Sequence, residues 1–532
     1  MLSCNNKNQA ESDMAMSTIK AVYDNTMEYL ATVPKAERKK IGQFFTPAPI
    51  AEYMGSLSNV RKETLNILDP GAGSGILSAA ILDALLESKG LRQANIDLYE
   101  NNPDIVPLLR RNLAYMQKAA KRKNIVLNFN IIEENFITAN QFAWTGLIPD
   151  EKYDIVISNP PYKKIGKNDA ESRTMSDVVY GQPNLYFLFM AMGSCLLKEN
   201  GECIYIVPRS FSSGLYFTAF RNYFLNTMRI TDFHLFASRE SISGSNDSIL
   251  QETVILRAVK SCNSCNLIKV TESESENCFD TTNQYYANYD ICVKQDDNCF
   301  LFFPACEEDA NVLDFVNQWP ANLKKLGYKM KTGIVVDFRE TEWMCTEHSG
   351  KTIPLLWAYN FHNHRIQFPV EAPGKPQYLI NLPETKRLQM NSGNYVLLKR
   401  FTSKEEKRRL QCALLFESDF PMFKNISTEN HLNYITKIDG EISEEEMYGL
   451  FVILNSSYLD RFFRILNGST QVNANEINAI PFPDLDDIVQ IGKRAVSCAD
   501  LTQLNCDALI DAQFEKPQSE AALVPPSGSR AA

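Results

Sequence analysis

Positive charge is in short supply in this sequence: 54 Lys and Arg stand against 64 Asp and Glu, a formal net charge of −10. That balance excludes a protein that coats nucleic acid through bulk charge. It leaves room for an enzyme with locally placed Lys and Arg, because salt-dependent affinity follows the residues that face phosphates and not the total. Long hydrophobic runs are lacking as well. The longest, Leu185 to Leu197, falls short of the roughly 20 residues a membrane-spanning helix needs and contains Gly193 and Ser194. With no apolar core of the signal-peptide kind near Met1, the expectation is a cytoplasmic protein with no membrane partner.

A cysteine framework is missing too. The 13 cysteines are scattered irregularly over 532 residues, which fits reduced thiols. Cys262-x-x-Cys265, followed by Cys278, Cys292, Cys299 and Cys306, has neither a second Cys-x-x-Cys nor a histidine among its members. Structural thiols are preferred there to a zinc site, and no metal is expected. Two phosphate-binding signatures are absent from the glycine-rich stretch Gly71-Ala-Gly73-Ser-Gly75. It lacks the Gly-Lys-Ser/Thr of a P-loop, and its spacing is not the Gly-x-Gly-x-x-Gly of dinucleotide folds. Phosphate is therefore not the obvious ligand of this loop.

What is present organises itself around two strand ends. Thr64-Leu-Asn-Ile-Leu-Asp69-Pro70 reads as a short apolar strand running into the glycine loop, and Ile76 to Leu86 reads as the helix that follows. The glycines let backbone approach a ligand closely, with the Asp69 carboxylate at the strand's end. A second strand, Asn95 to Tyr99, ends in Glu100, about where a nucleotide fold sets an acid on ribose hydroxyls. Further on, Asp154-Ile-Val-Ile-Ser stops abruptly in Asn159-Pro160-Pro161-Tyr162. Two prolines fix φ, remove both backbone donors and push Asn159 out of the α region, making a stiff bracket. The Asn159 side-chain oxygen and the Pro160 carbonyl can each accept one N–H of a planar amine, and Tyr162 offers a face for stacking.

Together these elements resemble the S-adenosylmethionine-dependent amino-methyltransferases. The segment Gly42-Gln-Phe-Phe-Thr46-Pro47 before the loop narrows the resemblance to the gamma-class N6-adenine DNA methyltransferases of type II restriction-modification systems. The likeness covers roughly residues 40 to 485, with its specific motifs in the first half. It implies a doubly wound α/β methyltransferase domain, S-adenosylmethionine as cofactor, double-stranded DNA as partner, and a restriction endonuclease that shares the target site without needing to bind. It further implies that Thr46 and Pro47 close over the methionine part of the cofactor, with Asp69, Gly71 and Gly73 beneath it and Glu100 on the ribose. Phe189, in Asn184-Leu-Tyr-Phe-Leu-Phe189, would pack on the cofactor adenine. Where the family has Asp-Phe after its third strand, this chain reads Glu134-Asn135-Phe136. Asn135 with Phe136 is the expected match, its oxygen taking the cofactor's exocyclic amine, and Glu134 is the alternative. The second face of the target base would fall to Phe236, or in another register to Ile242. His234 is expected to be structural, since methyl transfer to an amine needs no strong base.

Beyond Lys260 the sequence becomes polar and loop-rich. Lys331-Thr-Gly-Ile-Val335, Asn394 to Arg409, Asn430-His-Leu-Asn-Tyr434 and Asn467-Gly-Ser-Thr470-Gln471-Val472 resemble segments of a mixed α/β target-recognition domain. Lys399, Arg400, Lys404, Lys407 and Arg408 form the densest positive block. It reads equally as a phosphate clamp and as a solvated helix face laced with Glu405 and Glu406. Thr470 and Gln471 could reach phosphates or base edges. The expected organisation is an extension over 1–40, a catalytic domain over 41–260, recognition over 261–485, and a helix with a disordered tail over 486–532. The function implied is site-specific adenine N6 methylation that protects host DNA in a prokaryotic cytoplasm. Methylation of RNA adenine or of protein glutamine, and a non-catalytic specificity subunit, are the alternatives. The first two would need no second domain of this size, and the last would have no reason to keep both cofactor loop and bracket.

Overall fold

All six residues of the strand Tyr153–Ser158 are buried in the computed structural model of the chain, as a parallel strand covered on both faces must be. The structure describes residues 17–34, 45–148, 151–236, 252–261, 266–274, 279, 283–371, 374–402, 405–498 and 500–514. Gln43, Ile242, Cys262, Cys265, Cys278, Lys404 and the tail from Glu515 lie outside them. The chain divides into two compact units. One comprises residues up to Asn311 with Ile465–Ser469, and the other Val312–Arg464 with the residues from Thr470 onward.

The first unit is built on nine strands: β1 Thr64–Pro70, β2 Gln93–Tyr99, β3 Val126–Ile132, β4 Tyr153–Ser158, β5 Leu197–Pro208, β6 Met228–Phe236, β7 Thr253–Lys260, β8 Leu267–Ser273 and β9 Asn283–Asn288. They lie in the order β3-β2-β1-β4-β5-β7-β6-β8-β9. Neighbours from β3 to β5 are parallel, while β7 runs antiparallel to both β5 and β6. Alternate side chains face opposite ways along a strand. Ile155 and Ile157 of β4 therefore join one apolar cluster, with Ile50, Met54, Leu77 and Leu109 from helices, and Val156 joins the other, with Phe187 and Met190. The strand order reverses between β1 and β4, which opens a crevice at their carboxyl ends.

Buried charges lock the sheet. Asp154, 1% exposed, accepts from the Asn66 N–H at 2.8 Å and pairs with Lys62 at 2.6 Å and Lys198 at 3.0 Å. Arg257 of β7 bridges Glu202 of β5 at 2.7 Å and Asp232 of β6 at 2.9 Å. The expected boundary after residue 260 falls inside this sheet, because β8 pairs with β6 and β9 with β8.

The second unit has a six-stranded sheet and a five-stranded one. The first pairs Tyr328–Thr332, Leu432–Lys437, Tyr395–Lys399 and Cys412–Leu415 in that order. The described residues after Lys399, 400–402 and 405–410, turn without forming a helix, so for them the solvated-helix reading gives way to a strand end and loop. No described helix is long and apolar enough to cross a membrane. No described group of His, Cys, Asp and Glu is arranged to hold a metal ion.

Candidate active site

β1 ends at Pro70, and the loop that follows is tied to the next strand. The N–H groups of Gly71 and Ala72 both donate to the Tyr99 carbonyl at 2.9 Å. Gly71 and Gly73 lie at φ +75° and +55°, where a side chain would be strained. A Cβ at Gly71 would also stand 3.6 Å from the Phe189 ring, and one at Gly73 3.5 Å from the Phe45 ring. Beneath the loop the buried Asn112 donates to the Ser74 carbonyl at 2.8 Å and accepts from Asn25 Nδ2 at 2.8 Å. The backbone is thus held open towards a pocket of about 260 Å³.

Glu100 lines that pocket. Its Oε2 accepts the Gly73 N–H at 2.9 Å and its Oε1 the Asn102 N–H at 2.8 Å, while burial raises its pKa. The carboxylate keeps lone pairs for two further donors, such as vicinal hydroxyls. Phe136, Phe189 and Tyr99 close the apolar wall, with ring centroids 5.0 Å apart in the pairs Tyr99–Phe136 and Phe136–Phe189. Asp69 behaves differently from expectation. It is 1% exposed, does not line the pocket, and accepts the Ser78 hydroxyl at 2.6 Å. Burial pushes its pKa up to about 7. It braces the loop from within.

The bracket forms the opposite wall. Asn159, Pro160, Pro161 and Tyr162 all line the pocket. Asn159 Nδ2 donates to Thr46 Oγ1 at 3.2 Å. That bond leaves Oδ1 without a hydrogen-bond partner among the described residues, and Pro160 lines the same pocket. Tyr162 donates its hydroxyl to the Ile206 carbonyl at 3.0 Å and meets Tyr186 edge-on at 6.1 Å, so its ring is anchored at the pocket wall. Thr46, 4% exposed, reaches the pocket only through Asn159, and neither it nor Pro47 lines it.

Two expected residues are redirected. Asn135 does line the pocket, but its Oδ1 caps a short helix by accepting the Ile137 and Thr138 N–H groups at 3.0 and 3.2 Å, and its Nδ2 goes to Glu171. Both oxygen lone pairs are engaged, so it is a poor acceptor for another amine. Phe236 is 2% exposed and packs against His234 at 4.9 Å and Phe279 at 6.2 Å. Strand parity is the reason. Phe233 and Leu235 of β6 share the cluster of Phe136 and Phe189, whereas Phe236 faces the other side of the sheet. His234 is a buried neutral imidazole between Thr271 Oγ1 at 2.9 Å and Ser273 Oγ at 3.0 Å, its pKa pushed down to about 3 by burial.

Residues 84–242 match the family described as Eco57I restriction-modification methylase. The type II methyltransferase M.BsuBI of Bacillus subtilis is 32% identical over 468 residues, covering 86% of this chain and 90% of that protein. M.PstI of Providencia stuartii is 31% identical over 489 residues, covering 91% and 95%. The chain belongs to the type II restriction-modification methyltransferases. It is a DNA methyltransferase, and the expected type II restriction-modification family and α/β fold class are the ones found. Among solved structures, the type IIL restriction-modification enzyme MmeI in complex with DNA matches 91% of this chain and 74% of that one. The TM-score is 0.55 at 13% identity, a likeness of fold.

In the methyltransferase's second unit, the segments singled out from the sequence converge. Thr332 donates to Asn433 Oδ1 at 2.9 Å and Asn433 donates to the Val472 carbonyl at 2.7 Å. The Arg400 N–H donates to the His431 carbonyl at 2.8 Å, and the Thr402 N–H to the Thr470 carbonyl at 3.1 Å. Phe401 forms an isolated bridge with Gln471. Of the basic block, Lys407 is exposed, and Lys399 lies 5.8 Å over the Phe361 ring. Arg400 and Arg408 each give a guanidinium N–H to a backbone carbonyl, of Asn430 and Leu410. Sequence reasoning missed Phe45, Asn102, Ile105, Lys163 and Leu185, all of which line the pocket. Asn102, Ile105 and Lys163 follow strand ends, so the carboxyl-edge rule for α/β sheets could have supplied them, and Phe45 and Leu185 lie within segments already singled out.

Proposed function

We propose that this methyltransferase transfers a methyl group from S-adenosylmethionine to N6 of an adenine at a defined site in double-stranded DNA. On this reading the first unit, up to Asn311 with Ile465–Ser469, carries the chemistry and the second the recognition, and a restriction endonuclease of the same specificity is the counterpart that the modification opposes. One observation carries the proposal: the paired acceptors of Asn159 and Pro160 line the same pocket as Gly71, Gly73 and Glu100. The pocket suits the cofactor, because it joins a close-approach backbone, a carboxylate with acceptor capacity to spare and an aromatic wall. Glu100 would take ribose hydroxyls, Phe136 and Phe189 the adenine, and Gly71 and Gly73 the methionine backbone. When bound, the cofactor supplies an electrophilic methyl group on sulfonium. MmeI, solved with DNA, supports DNA as the partner.

Adenine in a duplex is out of reach, so it must leave the stack. Tyr162 gives it a face, and Asn159 Oδ1 with the Pro160 carbonyl accepts its two amine hydrogens. Those bonds strengthen as the nitrogen gains positive character, which favours the transition state over the ground state. Neither acceptor is a strong base, and the surplus proton leaves to solvent. Asn159→Ala should keep cofactor binding and lose about 100-fold or more in turnover. Nucleoside mass spectrometry of treated duplex tests the whole reading. N6-methyladenine is expected, whereas N4-methylcytosine, or methylation confined to RNA or protein, would overturn it.

A further inference from the structure

The loop between Thr428 and Leu432 is clamped on three sides. The Ile334 and Val335 N–H groups donate to the Thr428 carbonyl at 2.9 and 3.0 Å, the Asn430 N–H to the Val335 carbonyl at 2.8 Å, and the Arg400 N–H to the His431 carbonyl at 2.8 Å. Gly333 permits this approach, since a Cβ there would lie 2.0 Å from the Glu429 carbonyl oxygen. The clamp places a wholly buried carboxylate, Glu429, directly behind an imidazole whose side chain is 47% exposed. Glu429 Oε2 accepts the His431 N–H at 2.9 Å and Oε1 meets His431 Nδ1. Burying a carboxylate to orient one exposed ring is costly unless the ring has a task.

The neighbourhood is built for a ligand. Phe401, 41% exposed, stands 4.7 Å from the His431 ring, with the Arg400 guanidinium 5.4 Å from the Phe401 ring. Asn430 Oδ1 is buried without a hydrogen-bond partner among the described residues.

We infer that His431 and Phe401 form a base-reading edge for an A·T pair in the major groove of the target duplex. The inference rests on the proposed reading of this unit as the recognition domain. With Nδ1 directed at Glu429, the outward Nε2 accepts the adenine N6 amine, while Phe401 packs on the thymine methyl; an A·T pair presents both features on its major-groove edge, with the thymine O4 between them. Glu429 acts as a positioning residue.

The test uses the full-length protein on a randomised duplex library, sequenced for methylation. His431→Ala should lose discrimination at one A·T position by about 5- to 100-fold, with an unchanged salt slope. Glu429→Gln should relax the same position less. Deoxyuridine in place of that thymine should slow wild type and leave Phe401→Ala unaffected. Unchanged discrimination in a folded His431→Ala variant would reduce the pair to a turn lock and overturn the assignment. So would uniform weakening with a salt slope lower by about 1, which marks a phosphate contact. A wild type that methylates no duplex adenine overturns the reading beneath, and the assignment with it.

Discussion

At Asn159 the side-chain Nδ2 donates to Thr46 Oγ1 at 3.2 Å. The proposed role needs Oδ1 as the acceptor of the target amine. Thr46→Val keeps the shape and removes the acceptor, so turnover should fall about 5- to 10-fold, the worth of one neutral hydrogen bond, with cofactor affinity near wild type. A variant as fast as wild type would mean that the prolines alone orient the amide. His234 makes a residue-scale prediction in pH. Its pKa in the fold is near 3, against about 6.5 for an unfolded histidine. Between those values the unfolded chain binds the extra proton. The contribution of His234 is therefore complete above about pH 6.5 and is lost as pH falls towards about 3, at up to ~1.4 kcal/mol per unit. Asp69, near 7 in the fold, works in the opposite sense, losing stability as pH rises from about 4 to 7. Urea midpoints of wild type and His234→Gln, compared from pH 4.5 to 7.5, cancel the Asp69 part. Wild type should fall more steeply towards acid, and parallel curves would show that His234 titrates in the fold.

At the scale of the element, Arg257 is a buried cross-strand tie that joins β5 and β6 through Glu202 and Asp232. Glu202 is 1% exposed and also holds the Asn59 N–H. Arg257→Met would strand that carboxylate in the sheet, at a cost of about 3–5 kcal/mol. Chemical denaturation should show the loss. A change under 1 kcal/mol would mean that Glu202 becomes protonated or finds water. The tie matters to the site because β5 supplies the Ile206 carbonyl that anchors Tyr162.

For the whole molecule, a formal charge of −10 works against approach to DNA, so binding must rest on a local set of cations. We propose Lys399 and Lys407 as members of that set, since Arg400 and Arg408 spend part of their donors on backbone carbonyls. Lys399→Ala with Lys407→Ala should lower the slope of log affinity against log salt by up to ~0.9 for each phosphate that the two lysines neutralise. An unchanged slope, read by fluorescence anisotropy, would mean that neither lysine meets a phosphate.

The features that this sequence determined by itself are short-range ones. Gly71, Gly73, Glu100 and the Asn159-to-Tyr162 bracket could be read in advance, because strand ends, left-handed glycines and paired prolines dictate local geometry whatever surrounds them. Their meeting in one pocket followed from the strand order, which the alternation of strands and helices made readable. Phe236 was settled only by strand parity, since a shift of one residue turns a ring from one side of a sheet to the other. Asn135 was settled by capping, because two backbone N–H groups claim its oxygen before any ligand can. The convergence of Thr332, Arg400, His431 and Gln471 was settled by pairing between strands up to about a hundred residues apart in sequence. The physical reason is the same in all three: a side chain's chemistry belongs to its residue, but its free lone pairs and its facing are decided by partners the local sequence does not contain.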